Sequence, residues 1–163
     1  MIPPYNIILR QATAADAREI VAGINEVCAE KHYFSTPHYI PTPQWEIALR
    51  SPERAPDHLL YVVENERKII GAAQILPSGT IRGVGELGIF LLSRFRNRKI
   101  GTELVMAILD HAKLYYDDVV LFVLATNGRA IRCFKKCGFA EHSRRLHNYA
   151  HLGPREQIMM QMQ

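Results

Sequence analysis

The segment at residues 86–102 constrains the fold most, because an apolar strand there passes through a basic turn directly into a long amphipathic helix. The first N–H groups of a helix have no partner inside it, and the helix dipole adds positive potential at the same end. The turn carries further positive charge on Arg94, Arg96, Arg98 and Lys99. The segment therefore predicts a strand-to-helix junction that binds an anion, with a phosphate-bearing ligand as the expected occupant.

Two common nucleotide-binding motifs do not account for this junction. A P-loop needs two glycines flanking four residues and then lysine before serine or threonine, whereas a lone Gly101 here precedes Thr102 directly. The dinucleotide fingerprint needs three spaced glycines near the start of a βαβ unit, and those glycines are missing as well. The phosphate ligand must therefore be bound in another way.

The same turn resembles motif A of the GCN5-related N-acetyltransferases (GNAT), in which Arg/Gln-x-x-Gly-x-Gly/Ala binds the pyrophosphate of acetyl-CoA. Arg96 and Gly101 match the first and last positions of that motif. Lys99 stands where the middle glycine usually lies. A lysine fits this position if the backbone there is already helical, because positive φ angles are costly for residues with a Cβ.

A second block, at residues 127–139, resembles the family pattern Asn-x-x-Ala-x-x-x-Tyr-x-x-x-Gly-Phe. Asn127, Ala130, Gly138 and Phe139 match it, whereas Phe134 replaces the tyrosine. The two blocks follow one another at the separation seen in the family, and the resemblance covers roughly residues 7–162. The resemblance implies one N-acetyltransferase domain over residues 1–163.

The predicted elements agree with that α/β fold, whose central mixed, mostly antiparallel β-sheet is splayed between strands 4 and 5 and flanked by helices. Apolar periodicity, proline positions and turn residues predict the order β-α-α-β-β-β-α-β-α-β-β. In the motif helix, predicted over residues 100–116, the residues Ile100, Leu104, Ile108 and Ala112 form one apolar stripe.

Bulk properties place the chain among globular proteins, since 48% of its 163 residues are hydrophobic and 22% are charged. No apolar run approaches the length of a membrane span, and no secretion signal is visible at the N-terminus. We therefore expect a cytoplasmic protein without a membrane partner. The net charge of +4 is spread along the chain, so nucleic acid is not expected as a partner unless it forms part of an acceptor.

Metal and disulfide chemistry are not expected either. Three cysteines, an odd number, argue against a disulfide framework. Cys133 and Cys137 lie four residues apart on a predicted helix, a spacing that suits helix packing and not a metal-binding Cys-x-x-Cys motif.

The resemblance implies how acetyl-CoA would bind. Main-chain groups of the motif strand would pair with the pantetheine arm and the acetyl carbonyl, and the basic turn would wrap the pyrophosphate through its N–H groups. Asn127 would contact the cofactor, although it also fits an ordinary helix N-cap. The implied cofactor-binding residues are Ile89, Phe90, Leu91, Arg96, Asn97, Arg98, Lys99, Ile100, Gly101, Thr102, Asn127 and Phe134.

The implied reaction moves an acetyl group to a primary amine by direct attack in a ternary complex, and it needs a neutral amine. A lysine-like amine is neutral in only about one molecule in 2,500 at pH 7, so a general base is useful. Glu86 is the candidate base; otherwise it is a strand-end carboxylate in solvent. No general acid is assigned, because Phe134 cannot donate a proton, and a thiolate of pKa near 8.5 can leave without one.

The acceptor is expected beneath the aromatic and proline-rich segment between the first two helices. Tyr33, Tyr39 and Trp45 are the candidate acceptor-binding residues, and the alternative is a loop that packs its own aromatic side chains. A small amine, an amino acid and a protein amine all remain open as acceptors. The alternative function is a catalytically degenerate acyl-CoA-binding sensor or interaction module, and the resemblance also allows a homodimer.

Overall fold

A mixed β-sheet with helices on both faces forms the centre of the computed structural model, which describes residues 6–30 and 38–163. The described residues form seven strands: β1 (Ile7–Gln11), β2 (Leu59–Asn65), β3 (Lys68–Pro77), β4 (Val84–Leu91), β5 (Asp118–Leu124), β6 (Phe139–Tyr149) and β7 (Gly153–Met162). They also form four α-helices: α1 (Ala17–Cys28), α2 (Pro43–Arg50), α3 (Ile100–Ala112) and α4 (Gly128–Lys136).

The strands are ordered β1-β2-β3-β4-β5-β7-β6 across the sheet. Every neighbouring pair is antiparallel except β4 and β5, which are parallel. The β4–β5 pairing extends over three residue pairs only, from Val84 opposite Asp118 to Glu86 opposite Val120. Both strands continue beyond that point without pairing with each other, so the expected splay between strands 4 and 5 is confirmed.

Residue alternation along β4 shows which helix covers which face of the sheet. Phe90 lies against α1, because a Cβ built on Gly23 of that helix would come within 2.6 Å of the Phe90 ring. Leu91 faces the other way, toward the first turn of α3 at Gly101. Since side chains two residues apart share a face, Glu86 and Gly88 lie on the α1 face with Phe90.

The apolar stripe predicted for the motif helix is confirmed, since Ile100, Leu104, Ile108 and Ala112 are all buried in α3. The helix ends at Ala112, four residues earlier than expected. The chain then turns so that Tyr116 can donate a hydrogen bond to the carbonyl of Asp57. This long-range contact accompanies the early end of the helix, and it leaves no local signal in the sequence.

Helix α2 begins where proline at its first position predicts. The Thr42 side chain accepts a hydrogen bond from the main-chain N–H of Trp45 at 3.2 Å, which satisfies one donor of the first turn. Among the described residues, no helix is both long and apolar enough to cross a membrane.

Candidate active site

The gap between β4 and β5 opens into a cleft of about 720 Å³. Main-chain groups on the facing edges of the two strands lack a strand partner beyond Glu86 and Val120. The N-terminal ends of α3 and α4 complete the walls of the cleft. Most of the predicted site residues line it: Glu86, Ile89, Phe90, Leu91, Arg96, Asn97, Lys99, Gly101, Thr102, Asn127 and Phe134.

Two predicted cofactor-binding residues, Arg98 and Ile100, are not among the residues that line the cleft. Ile100 is the first residue of α3, and its side chain is 3% exposed in the core. Arg98 is half-buried and lies outside the set of lining residues. For Ile100, only the main chain therefore remains available to a ligand.

The turn before α3 contains two left-handed residues, Asn97 with φ of 62° and Lys99 with φ of 66°. The backbone at Lys99 is therefore left-handed and not already helical, so the condition under which a lysine would fit without cost is not met. Glycine adopts this conformation freely, which is the physical reason for the family's glycine there. Turns that combine left-handed residues with a helix start form concave sites where N–H groups bind anions.

Arg96 is engaged inside the protein. Its two terminal nitrogens donate to the Glu30 carboxylate at 2.7 and 2.6 Å, and its Nε donates to the carbonyl of Leu91 at 3.0 Å. Its side chain is 9% exposed. The guanidinium that was predicted to bind the cofactor thus connects the end of α1 to the end of β4.

Helix α4 brings cations to the cleft that the sequence analysis did not identify. Arg129, Arg132 and Lys136 line the cleft and follow a helical spacing of three and four residues. That spacing places them on one face, and it is the signal that could have found them. Asn127 caps this helix, because its side-chain oxygen accepts from the N–H of Ala130 at 3.3 Å.

Glu86 stands at the apex of the cleft, in the last residue pair before β4 and β5 separate. Its side chain retains contact with solvent, yet the surrounding walls displace enough water for desolvation to raise the pKa of its carboxyl. Among the described residues no cation pairs with it. A carboxylate with a raised pKa in a cleft has the properties of a general base.

Phe134 lies at the α4 wall and is 6% exposed. Its ring packs edge-to-face on Phe139, with the ring centroids 6.0 Å apart. Cys133 beside it approaches Thr102, with 3.5 Å between Sγ and Oγ1. The neighbouring Cys137 thiol lowers the pKa of the Cys133 thiol.

Two of the aromatic residues expected to bind the acceptor, Tyr39 and Trp45, do not line the cleft. Trp45 is 2% exposed within the core and contacts Tyr39 edge-to-face at a centroid distance of 6.3 Å. The Asn25 side chain holds the main chain of Tyr39 through bonds of 2.7 and 3.3 Å. Tyr33 lies outside the described residues.

Side chains of the last hairpin line the cleft instead. They are Arg145 and Tyr149 on β6 and Gln157 on β7, and Phe122 of β5 lies beside them. Arg145 and Gln157 were not predicted from the sequence. No local pattern distinguishes Arg145, because β6 is polar at nearly every position from Glu141 to Asn148; the pairing of β6 with β7 and of β7 with β5 brings both residues to the cleft.

The model of the Acetyltransferase (GNAT) family matches residues 21–139, which is most of the chain. The chain belongs to this acetyltransferase family. A search of curated proteins gives no sequence match.

Solved structures of GNAT-fold proteins superpose on this acetyltransferase over nearly its whole length. An acetyltransferase of the GNAT family from Streptococcus pneumoniae has a TM-score of 0.85 at 22% identity, covering 96% of this chain and 98% of its own. The yncA protein of Salmonella typhimurium with its cofactor acetyl-CoA has a TM-score of 0.82 at 17% identity, covering 96% and 93%. Spermidine N-acetyltransferase from Vibrio cholerae, in complex with CoA and spermine, has a TM-score of 0.74 at 20% identity, covering 96% and 94%. At these identities the superpositions show the fold.

No group of three or more His, Cys, Asp or Glu side chains that could hold a metal ion occurs within residues 6–30 and 38–163.

The two sequence blocks that resemble the family motifs lie next to each other in the fold, because Thr102 of the first contacts Cys133 of the second. Both blocks of this acetyltransferase therefore lie on one cleft.

Proposed function

We propose that the protein is an acetyl-CoA-dependent N-acetyltransferase that moves the acetyl group to a primary amine by direct attack in a ternary complex. The observation that carries this proposal is the cleft between β4 and β5, which brings both motif segments together with Glu86 at its apex. The acceptor is a small amine, an amino acid or a protein amine.

The residues of the cleft fit the parts of acetyl-CoA in turn. Ile89, Phe90 and Leu91 line the gap between the strands, and the main-chain groups of this segment that are not paired with β3 can bind the pantetheine arm and the acetyl carbonyl. The turn at residues 97–102 and the N-terminus of α3 suit the pyrophosphate. The cations of α4 add charge for the remaining phosphate. The Salmonella and Vibrio proteins, whose structures include acetyl-CoA and CoA, support acetyl-CoA as the cofactor.

Glu86 would serve as the general base, acting directly or through a water molecule. Deprotonating a lysine-like amine at pH 7 costs about 4–5 kcal/mol, whereas an α-amine costs about 1–1.5 kcal/mol. Desolvation raises the pKa of Glu86, which makes its carboxylate a stronger proton acceptor than an exposed one. Because Glu86 lies on the face of the sheet covered by α1, the amine would approach from that face, opposite the face covered by α3 and α4.

The leaving thiolate has no proton donor at the family's tyrosine position, because Phe134 occupies it. A thiolate with a pKa near 8.5 can leave unaided and take its proton from solvent. The absence of a phenol there therefore lowers the rate without preventing the reaction.

The first experiment measures CoA release by the purified protein with acetyl-CoA and a panel of amines, together with calorimetric binding of acetyl-CoA. We expect binding and amine-dependent release. Gly101→Glu places a carboxylate at the turn and should abolish binding, with melting temperature as the check on folding. Gly79→Glu is the matched control, because a Cβ at Gly79 meets nothing within 4 Å. If Gly101→Glu binds acetyl-CoA with unchanged affinity, the turn at residues 97–102 does not bind the pyrophosphate.

The role of Glu86 is tested by Glu86→Gln, which keeps the shape of the side chain and removes the base. We expect kcat to fall by about 10²- to 10³-fold while the Kd for acetyl-CoA is unchanged. A base must be deprotonated to act, so the raised pKa of Glu86 moves the acidic limb of the wild-type kcat/KM profile above the range of an ordinary glutamate. A profile with the same acidic limb in the variant would assign the base elsewhere.

Two departures from the family pattern favour a second candidate, an acyl-CoA sensor without turnover. They are Lys99 in place of glycine and Phe134 in place of tyrosine. Tight acetyl-CoA binding without release to any amine would establish this alternative.

A further inference from the structure

We infer that the acceptor is a free amino acid, and that Arg145 binds its carboxylate while its amine lies toward Glu86. This inference rests on the proposed N-acetyltransferase function and specifies its substrate class. Three observations carry it: the face of the sheet on which Arg145 lies, the hydrogen bonds that hold it, and the balance of charges in the cleft.

Strand register places Arg145 on the acceptor face. Arg145 is opposite Gln157, which is opposite Leu124, and residues directly opposite one another share a face. Leu124 shares its face with Val120, which is opposite Glu86. Arg145 and Glu86 therefore lie on one face of the sheet, opposite the face covered by α3 and α4. The cations at the starts of those two helices belong to the other side.

The side chain of Arg145 is held in a chain of hydrogen bonds. Its Nε donates to Oε1 of Gln157 at 3.0 Å, and Nε2 of Gln157 donates to the hydroxyl oxygen of Tyr149 at 2.9 Å. Tyr149 is 5% exposed. Both ends of the Gln157 amide are thus engaged, so the oxygen that accepts from the exposed Arg145 side chain is held in place.

This arrangement leaves polar groups available to a ligand. Within the described residues, the terminal nitrogens of Arg145 make no hydrogen bond or ion pair. A guanidinium held by Nε alone presents an edge that binds a carboxylate through two parallel hydrogen bonds. The Tyr149 oxygen accepts from Gln157, so its own hydrogen is directed elsewhere and can be donated to the same ligand.

The charges on this face match an amino acid better than the other acceptors. Glu86 is the only carboxylate among the described residues that line the cleft. A polyamine carries several positive charges, and the cleft would offer only this one negative charge to pair with them. An amino acid brings one positive and one negative group, which correspond to Glu86 and Arg145. Phe122 lies on β5 between Val120, which is opposite Glu86, and Leu124, which is opposite Gln157. Its ring is 42% exposed and offers an apolar surface to the amino acid side chain.

The test compares matched acceptors that differ in the carboxylate alone. Leucine is measured against leucinamide and 3-methylbutylamine, lysine against cadaverine, and a tetrapeptide represents protein N-termini. We expect kcat/KM to be highest for the free amino acids. In Arg145→Gln, KM for the amino acid should rise about 10- to 100-fold, the loss expected for a charge-assisted bidentate pair, with the amines unaffected.

Arg144→Gln is the matched control. Arg144 is the neighbouring residue on the other face of β6, where it pairs with Glu141 and Glu156 outside the cleft. This variant should keep the wild-type preference for amino acids. The melting temperatures of both variants check that the hairpin remains folded.

Several outcomes would overturn the inference. Equal kcat/KM for amino acids and their decarboxylated amines would do so, as would a failure of every amino acid in the panel. A weaker Kd for acetyl-CoA in Arg145→Gln would assign this arginine to the cofactor instead. The calorimetric Kd of the wild-type protein distinguishes failure of this inference from failure of the proposed function. An absence of acetyl-CoA binding would contradict the proposed function itself.

Discussion

Lys99 adopts a backbone conformation that lysine seldom takes, with φ of 66° directly before α3. The left-handed region brings the Cβ of a non-glycine residue close to the following carbonyl oxygen. Asn97 shares this conformation, but asparagine tolerates it better. The strain at the turn is therefore concentrated at one residue, in the part of the cleft that we propose binds the pyrophosphate.

Lys99→Gly should stabilise the protein by about 1 kcal/mol, because glycine removes a left-handed penalty of about 1–2 kcal/mol but adds backbone entropy to the unfolded chain. Urea denaturation measures this change in the free energy of unfolding. Arg98→Gly is the matched control, since its φ is not positive and the same replacement should destabilise. Equal destabilisation in the two variants would contradict the strain at Lys99.

At the scale of secondary-structure elements, the Arg96–Glu30 ion pair joins the end of α1 to the turn that precedes α3. The two residues are 66 positions apart in the sequence. The Arg96 side chain is 9% exposed and that of Glu30 is 28% exposed, so water screens the pair only partly. We infer that this pair holds the left-handed turn in place.

Glu30→Gln should lower the free energy of unfolding by about 2 kcal/mol, because it leaves a largely buried guanidinium without its counter-charge. Glu26→Gln is the control: Glu26 approaches Arg94 at 3.9 Å with both side chains mostly exposed, a pair expected to contribute little. Chemical denaturation of the two variants measures the difference. Similar stability in both would show that the ion pair does not support the turn.

At the scale of the whole molecule, the sheet consists of two parts that meet over three residue pairs between β4 and β5. On one side lie β1 to β4, and on the other lie β5, β7 and β6. Beyond Glu86 and Val120 the facing edges have no strand partner, so a ligand bound in the cleft would supply the missing contacts between the two parts.

Acetyl-CoA at 100 times its Kd should therefore raise the free energy of unfolding by about 2.7 kcal/mol. Hydrogen exchange should slow most at cleft-facing amides in residues 89–91 and 121–124. The amides that pair β1 with β2 lie far from the cleft and serve as the internal reference. Uniform slowing across the sheet would contradict a ligand bound between its two parts.

The sequence by itself determined the order of helices and strands and the two motif segments that line the cleft; the role of Glu86 stays a prediction. These depend on local signals: Pro43 at a helix start, the apolar stripe of α3, and residues within one strand or one turn. The family resemblance extended them to the splayed sheet, which the β4–β5 pairing confirms.

Only the tertiary structure decided which side chains meet across the chain. In the folded chain Arg96 forms an ion pair with Glu30, Trp45 is buried in the core, and Arg145 and Gln157 lie at the cleft. It also set the left-handed backbone at Lys99. Each of these depends on contacts between distant segments or on a backbone angle imposed by them, and local propensity carries no information about such contacts.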